Sequence, residues 1–166
     1  MQFKTFEELV LLAPQEIKDE LERLKTYQEN SLYHPESNVY EHIKIVTDRL
    51  ITTGDIDLIL AGLYHDIMKL KAAEKTLEKT GKFRAFGHEQ MGSKIVQRDV
   101  EFIKDMGADV DMVESIVLNH MRMKKISEMK KSKVEILKSL PAFEKLMVFT
   151  KADSMLTEFK IDEIPG

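Results

Sequence analysis

No cysteine and no tryptophan occur in this chain of 166 residues, and only four prolines and seven glycines interrupt it. Without thiols it can build neither a disulfide framework nor a thiolate metal site, which fits a reducing, cytoplasmic compartment. The glycines form no phosphate-cradling loop. No stretch approaches the roughly 20 apolar residues of a membrane span, and the N-terminus lacks the basic-then-apolar layout of a secretory signal, so no membrane partner is expected. A net charge of −4 argues against generic coating of nucleic acid, yet leaves room for local basic patches that hold phosphates. Repeats, low-complexity tracts and convincing strand patterns are also missing, so the fold class read from the chain is all-α. Its length suffices for one compact domain burying about two-thirds of its unfolded surface, without a structural metal.

What is present is helical periodicity. Thr5 can cap a short helix over Phe6 to Leu12, and Pro14 suits the first turn of a second, Gln15 to about Gln28, with the stripe Ile17, Leu21 and Leu24. Residues 1–29 therefore read as packing helices. A polar break, Glu29 to Asn38, carries Tyr33-His34-Pro35-Glu36, and the proline takes His34 out of helical geometry. Ser37 is placed to cap a helix running to about Thr52, with His42 on its apolar face. Gly54 ends that helix and Asp55 opens another, whose apolar residues are spread so widely that it should be central. His65 and Asp66 fall in its last turn. Lys69 to Gly87 reads as a lysine-rich connection, mostly a mobile rim, with a short helix in the middle. His88 stands in the first turn of a helix ending near Gly107, and Asp109 or Asp111 caps the next, which carries His120 inward. Met121 to Lys133 is basic, either solvated surface or a phosphate-attracting lip. Pro141 begins a last helix that brings Asp153 toward the core, and residues 158–166 form a tail.

One inward histidine is more often a hydrogen-bonded core residue than a ligand. Here the adjacent pair His65-Asp66 sits inside the apolar run Leu60 to Lys69, and His34, His42, His88 and His120 occupy helical apolar contexts or helix edges. Imidazole and carboxylate suit Zn, Mn, Fe, Ni or Mg, so the set predicts a nitrogen- and oxygen-ligated metal centre inside a helical bundle. The ten methionines read as core filling beside such partners.

The ordered set His42, His65-Asp66 and Asp153, with Lys69 closing His-Asp-Ile-x-Lys, resembles the HD-domain metal-dependent phosphohydrolase superfamily over about residues 30 to 157. Within it, Tyr33-His34-Pro35-Glu36, Gly87-His88-Glu89, Gly92 and Asn119-His120-Met121 look most like the HD domain of bacterial tRNA nucleotidyltransferases, the CCA-adding enzymes. No nucleotidyltransferase head is present, so the chain would be a free-standing relative. The resemblance implies a single-domain helical bundle in which His42, His65, Asp66 and Asp153 hold a first divalent ion (Mn, Ni, Co, Fe, Mg or Zn). His88 and His120 then match the extra histidines of members with a second ion, Asp66 bridging both. Lys69 matches a residue that faces substrate phosphate. Met68 stands where glycine is usual and is expected to narrow the pocket beside Lys69.

The activity so implied is hydrolysis of a nucleotide-like phosphomonoester or 2′,3′-cyclic phosphodiester by a metal-activated water, with an RNA end as a further substrate. Asp66 would orient the water or accept its proton, while Lys69 foremost, then Arg84 or Arg122, would neutralise phosphoryl oxygens, and His34 would contact substrate. Two other classes share the residues. A di-iron oxygenase of the same superfold uses a similar ligand set, and a non-catalytic module could grip RNA or a partner through Met121 to Lys133.

Overall fold

The computed structural model describes residues 1–29 and 38–154, so His34 and Glu36 lie outside the described part. Within it the chain is all-helical: α1 (Phe6–Leu12), α2 (Gln15–Leu24), α3 (Val39–Ile51), α4 (Ile56–Tyr64), α5 (Lys69–Thr80), α6 (His88–Arg98), α7 (Val100–Asp105), α8 (Val110–Lys124), α9 (Lys131–Lys138) and α10 (Phe143–Asp153), with one 3-10 turn, Ile126–Glu128. Side-chain caps set the starts. Thr5, Asp55 and Asp109 each accept from backbone N–H groups of the following first turn, satisfying donors that have no partner inside the helix. Asn38, one residue later than expected, caps α3 by accepting from the Glu41 N–H.

α4 is the hub. Every residue from Leu58 to Tyr64 is buried, because α3, α6, α8 and α10 pack around it. Such crowding explains Gly62, where an added Cβ would lie 3.0 Å from both Leu50 Cδ1 and Thr47 Oγ1 and 3.3 Å from the Thr47 backbone. The methyl of Leu50 can yield, but the α3 backbone cannot. Gly62→Val is therefore expected to destabilise the fold by about 1–3 kcal/mol, read as a lower thermal midpoint; an unchanged midpoint would show that α3 and α4 are not in close contact there.

Three expectations are corrected. The lysine-rich segment after Lys69 is not mainly a rim: Lys69–Thr80 is a continuous helix, seated by buried Ala72 and Ala73 and stopped by Gly81 at φ 74°. The helix expected from His88 to Gly107 breaks at Asp99, whose carboxylate is buried and accepts from the Tyr64 hydroxyl at 2.8 Å. This long-range bond draws Asp99 inward, at the cost of helical backbone angles. Met68 joins the core, 7% exposed, and does not line the cleft beside Lys69, so it leaves that opening unnarrowed.

Long-range polar contacts fix the two ends of the bundle. Lys145 on α10 reaches Asp55 and Asp57 at the start of α4 at 3.0 and 2.7 Å. Arg49 on α3 donates to the carbonyls of Ala152 and Ser154, both at 2.9 Å. The second contact satisfies carbonyls at the C-terminus of α10 and brings Asp153 beside α3. Among the described residues no helix is long and apolar enough to cross a membrane.

Candidate metal centre

Five segments converge on one buried point. α3 supplies His42, the turn after α4 supplies His65 and Asp66, α6 begins with His88, α8 carries His120, and α10 ends on Asp153. None of the six is more than 4% exposed. The expectation that His65 and Asp66 sit in the last turn of α4 shifts slightly: His65 is the C-cap and Asp66 lies just beyond. Leaving the helix lets neighbouring side chains, which diverge by about 100° on a regular helix, face the same cluster.

Asp66 divides that cluster in two. Its Oδ2 lies 3.5 Å from His42 Nε2 and 3.2 Å from His65 Nε2, while its Oδ1 lies 3.1 Å from His88 Nε2 and 3.5 Å from His120 Nε2. Asp153 Oδ1 closes the first half, 2.7 Å from His42 Nε2 and 3.3 Å from His65 Nε2. The result is two sets, His42–His65–Asp153 and Asp66–His88–His120, each with potential ligand atoms within 4.8 Å of one another.

Ring orientation comes from the histidines' own backbone. Nδ1 of His65 donates to the Gly62 carbonyl at 2.7 Å, that of His88 to Ala85 at 3.0 Å and that of His120 to Val117 at 2.6 Å. A carbonyl can only accept, so Nδ1 carries the proton and a neutral ring turns its Nε2 lone pair inward. The Nε2 atoms of His88 and His120 approach to 3.4 Å, and two lone pairs so close repel unless a cation or shared proton lies between them. Among the described residues, His65 Nε2 and both Asp66 oxygens are buried without a hydrogen bond of acceptable geometry. Buried polar atoms in proteins are normally satisfied. Converging unsatisfied nitrogen and oxygen donors, with no sulfur, fit one or two divalent ions of the borderline-to-hard class.

The electrostatics agree. Burial opposes charge on both carboxylates, yet His65 and Lys69 hold Asp66, and Lys124 and His65 hold Asp153, well below the usual carboxylate range. Burial also opposes a charge on His65, but Asp66 and Asp153 outweigh it and raise that group to about 10, so near neutral pH its Nε2 carries a proton that a divalent ion would displace to reach the lone pair. The same negative field attracts any cation to Nε2. Burial dominates at His120, which is lowered. The rings of His65 and His120 rest edge-on against Phe149, with centroids 5.1 and 6.1 Å away, so that side of the centre is dry.

A cleft of about 450 Å³ reaches the centre through Lys69 and His88 and is also lined by Arg84, Lys124 and Lys125. Lys69 lies there as expected, but its ammonium is already engaged, 2.5 Å from Glu29 Oε1 and 3.3 Å from Asp66 Oδ2. Arg84 is exposed on the lip. Arg122 is not on this cleft. It donates to Asn119 Oδ1 and lines a separate cavity against Ile136 and Leu140, because residues two apart on a helix, like His120 and Arg122, do not share a face.

Lys124 does share a face with His120, four residues on, and sequence reasoning left it within a generally basic stretch. Its Nζ is 2.7 Å from Asp153 Oδ2, the oxygen turned away from His42. The contact holds the carboxylate so that Oδ1 faces the imidazoles. Lys124→Met is expected to weaken divalent-ion binding by about 10- to 100-fold, the usual cost of losing a group that orients a ligand. Titration of the metal-free protein would measure this, and an unaltered affinity would mean that Asp153 needs no such hold.

Comparison with known proteins adds one finding. A family model described as HD domain matches residues 32–155. No curated protein and no solved structure matches the chain.

Proposed function

Because the chain belongs to the HD domain family, a family of metal-dependent hydrolases, we propose that it hydrolyses a nucleotide-like phosphomonoester or a 2′,3′-cyclic phosphodiester. One observation carries the reading: the two oxygens of Asp66 each address a separate pair of Nε2 atoms, so this one carboxylate would serve both sets of ligands. His42, His65 and Asp153, with Asp66 Oδ2, would hold one ion; His88 and His120, with Asp66 Oδ1, would hold the other. Divalent ions supply Lewis acidity, making water acidic enough to lose a proton near neutral pH and offsetting charge on phosphoryl oxygens.

The chain's own groups do the rest. The Gly62, Ala85 and Val117 carbonyls keep the rings in the tautomer that offers Nε2, and Phe149 excludes water from behind them. Lys69, on the wall of the cleft, balances Asp66 and Glu29, and an entering phosphate would compete with Glu29 for its ammonium. Arg84 and Lys125 stand exposed on the same lip, placed to neutralise phosphoryl oxygens as charge builds. The motifs Gly87-His88-Glu89 and Asn119-His120-Met121 are the support for placing this chain near the HD domains of CCA-adding enzymes, and hence for 2′-phosphates and 2′,3′-cyclic phosphates as first substrates. His34, in the Tyr33-His34-Pro35-Glu36 motif, is proposed as a substrate contact.

A panel of 2′-, 3′- and 5′-nucleoside monophosphates and 2′,3′-cyclic nucleotides, assayed with Mn²⁺, Ni²⁺ or Co²⁺ and with chelator, tests the proposal. Metal-dependent phosphate release or ring opening is expected. Failure across the panel would overturn it, as would paired iron that consumes oxygen with substrate.

A further inference from the structure

A second groove, of about 400 Å³, runs between α5 and α6 and shares two residues, Phe86 and Gly87, with the cleft over the metal centre. The two openings are therefore neighbours across one ridge. Three lysines line this groove, Lys75 and Lys79 from α5 and Lys94 from α6, and no carboxylate does. All three are exposed. In a chain of net charge −4, a groove lined by three cations and no acid is a local reversal of sign. Thr76 and Gln90 add neutral hydrogen-bonding groups.

The ridge itself is aromatic. Phe86 is 76% exposed, the most exposed large apolar side chain among the described residues. The nearby Phe83 ring packs against Tyr27, with centroids 5.5 Å apart, whereas Phe86 stands over the junction of the two openings. A flat apolar ring with three lysines on one side and Arg84 and Lys125 on the other, where the cleft also holds Glu29 and Glu89, matches what a single-stranded nucleic acid presents: anionic phosphates with a base between them, stacking on an aromatic face.

We propose that Lys75, Lys79 and Lys94, with Phe86 as a stacking platform, form an extended binding track for single-stranded nucleic acid whose terminal phosphate enters the metal cleft. The proposal rests on the phosphohydrolase reading for what happens at that end, but the binding itself can be tested without turnover. Local backbone geometry supports the ridge: Gly87 adopts φ 78° directly before His88 opens α6, so the chain turns sharply between stacking ring and imidazole. The track would hand one end of a strand to the centre while holding nucleotides further along it.

The experiment is fluorescence anisotropy of labelled six-nucleotide RNA and DNA single strands on the full chain, in chelator, across a salt series. Binding should weaken with salt, and every phosphate that a variant no longer neutralises should flatten the log–log slope by about 0.7. The Lys75→Ala/Lys79→Ala/Lys94→Ala triple variant should accordingly have a slope shallower by about 2, and Phe86→Ala should bind about tenfold more weakly, as removal of one stacked base implies. Lys79→Glu, a single exposed change, repeats the test should the triple variant melt early. Equal affinity for RNA and DNA would place recognition on phosphate and base alone, and preference for RNA would add the 2′-hydroxyl; either supports the track. Absence of binding by the unmodified chain, an unchanged salt slope in the variants, or equal binding of inorganic polyphosphate with no effect of Phe86→Ala would overturn it. None of these outcomes depends on the mononucleotide panel, so the two proposals fail separately.

Discussion

Asp66→Asn is expected to lower phosphate release roughly a thousandfold and to deplete bound metal. The substitution keeps the shape of the side chain but removes its charge and leaves one oxygen where there were two. Whichever way the amide turns, its NH2 group faces a pair of imidazole nitrogens that should be offering lone pairs. Metal ions supply several kcal/mol of charge stabilisation in reactions at phosphorus, and at about 1.4 kcal/mol per tenfold this is a loss near three orders of magnitude. Elemental analysis of the purified protein and phosphate release under saturating Mn²⁺ are the two readouts, with circular dichroism to verify the fold. A variant that keeps both metal and turnover would remove Asp66 from the centre, and its position between the two histidine pairs would be coincidence.

Phe149→Ala should produce the largest change in stability. The ring is completely buried and belongs to α10, which packs against α3, α4 and α8. Truncating a buried phenylalanine costs about 3–5 kcal/mol, and in a domain of this size each kcal/mol moves the midpoint by about 2–4 °C, so a fall of roughly 10 °C is expected. The edge-on contacts with His65 and His120 add a second effect. A cavity there lets both imidazoles tilt and admits water beside them, so divalent-ion affinity should fall together with the melting point. Phe149→Leu, which refills most of the space, should recover most of the midpoint. If the alanine variant melts within a degree or two of the parent, the ring is not the packed wall that its burial implies.

Much of the architecture was legible because local chemistry and burial pointed the same way. Thr5, Asp55 and Asp109 cap helices by rules that need only the next three residues, and the apolar breadth of Ile56–Tyr64 announced a central helix before any neighbour was known. What escaped depended on partners far along the chain. α5 hides its short apolar seat, Ala72 and Ala73, among lysines and glutamates, so composition spoke for solvent while packing made a helix. The break at Asp99 follows from Tyr64, 35 residues away. Glu29 meets Lys69 across 40 residues, and no pattern within either segment anticipates that pair.

For the candidate centre, the six side chains singled out from sequence do converge, and their Asp66-centred division into two sets needed coordinates. The cation assignments were less readable. Arg122 and Lys124 lie two residues apart in one basic stretch, and composition cannot rank them. Helical phase can: counting four residues from His120 reaches Lys124, while counting two leads to the other side.

The contact between His42 and Asp153 spans 111 residues, and its consequence is a matter of timing. Closing so long a segment is entropically slow, and neither half of the chain alone owns the ligands. The His42–His65–Asp153 set can therefore form only after α10 has docked, so a growing or C-terminally clipped chain would be left with the Asp66–His88–His120 set alone. An ion held by that first set would then couple its binding to the docking of α10, and at a thousandfold excess over its dissociation constant it would stabilise the finished fold by about 4 kcal/mol.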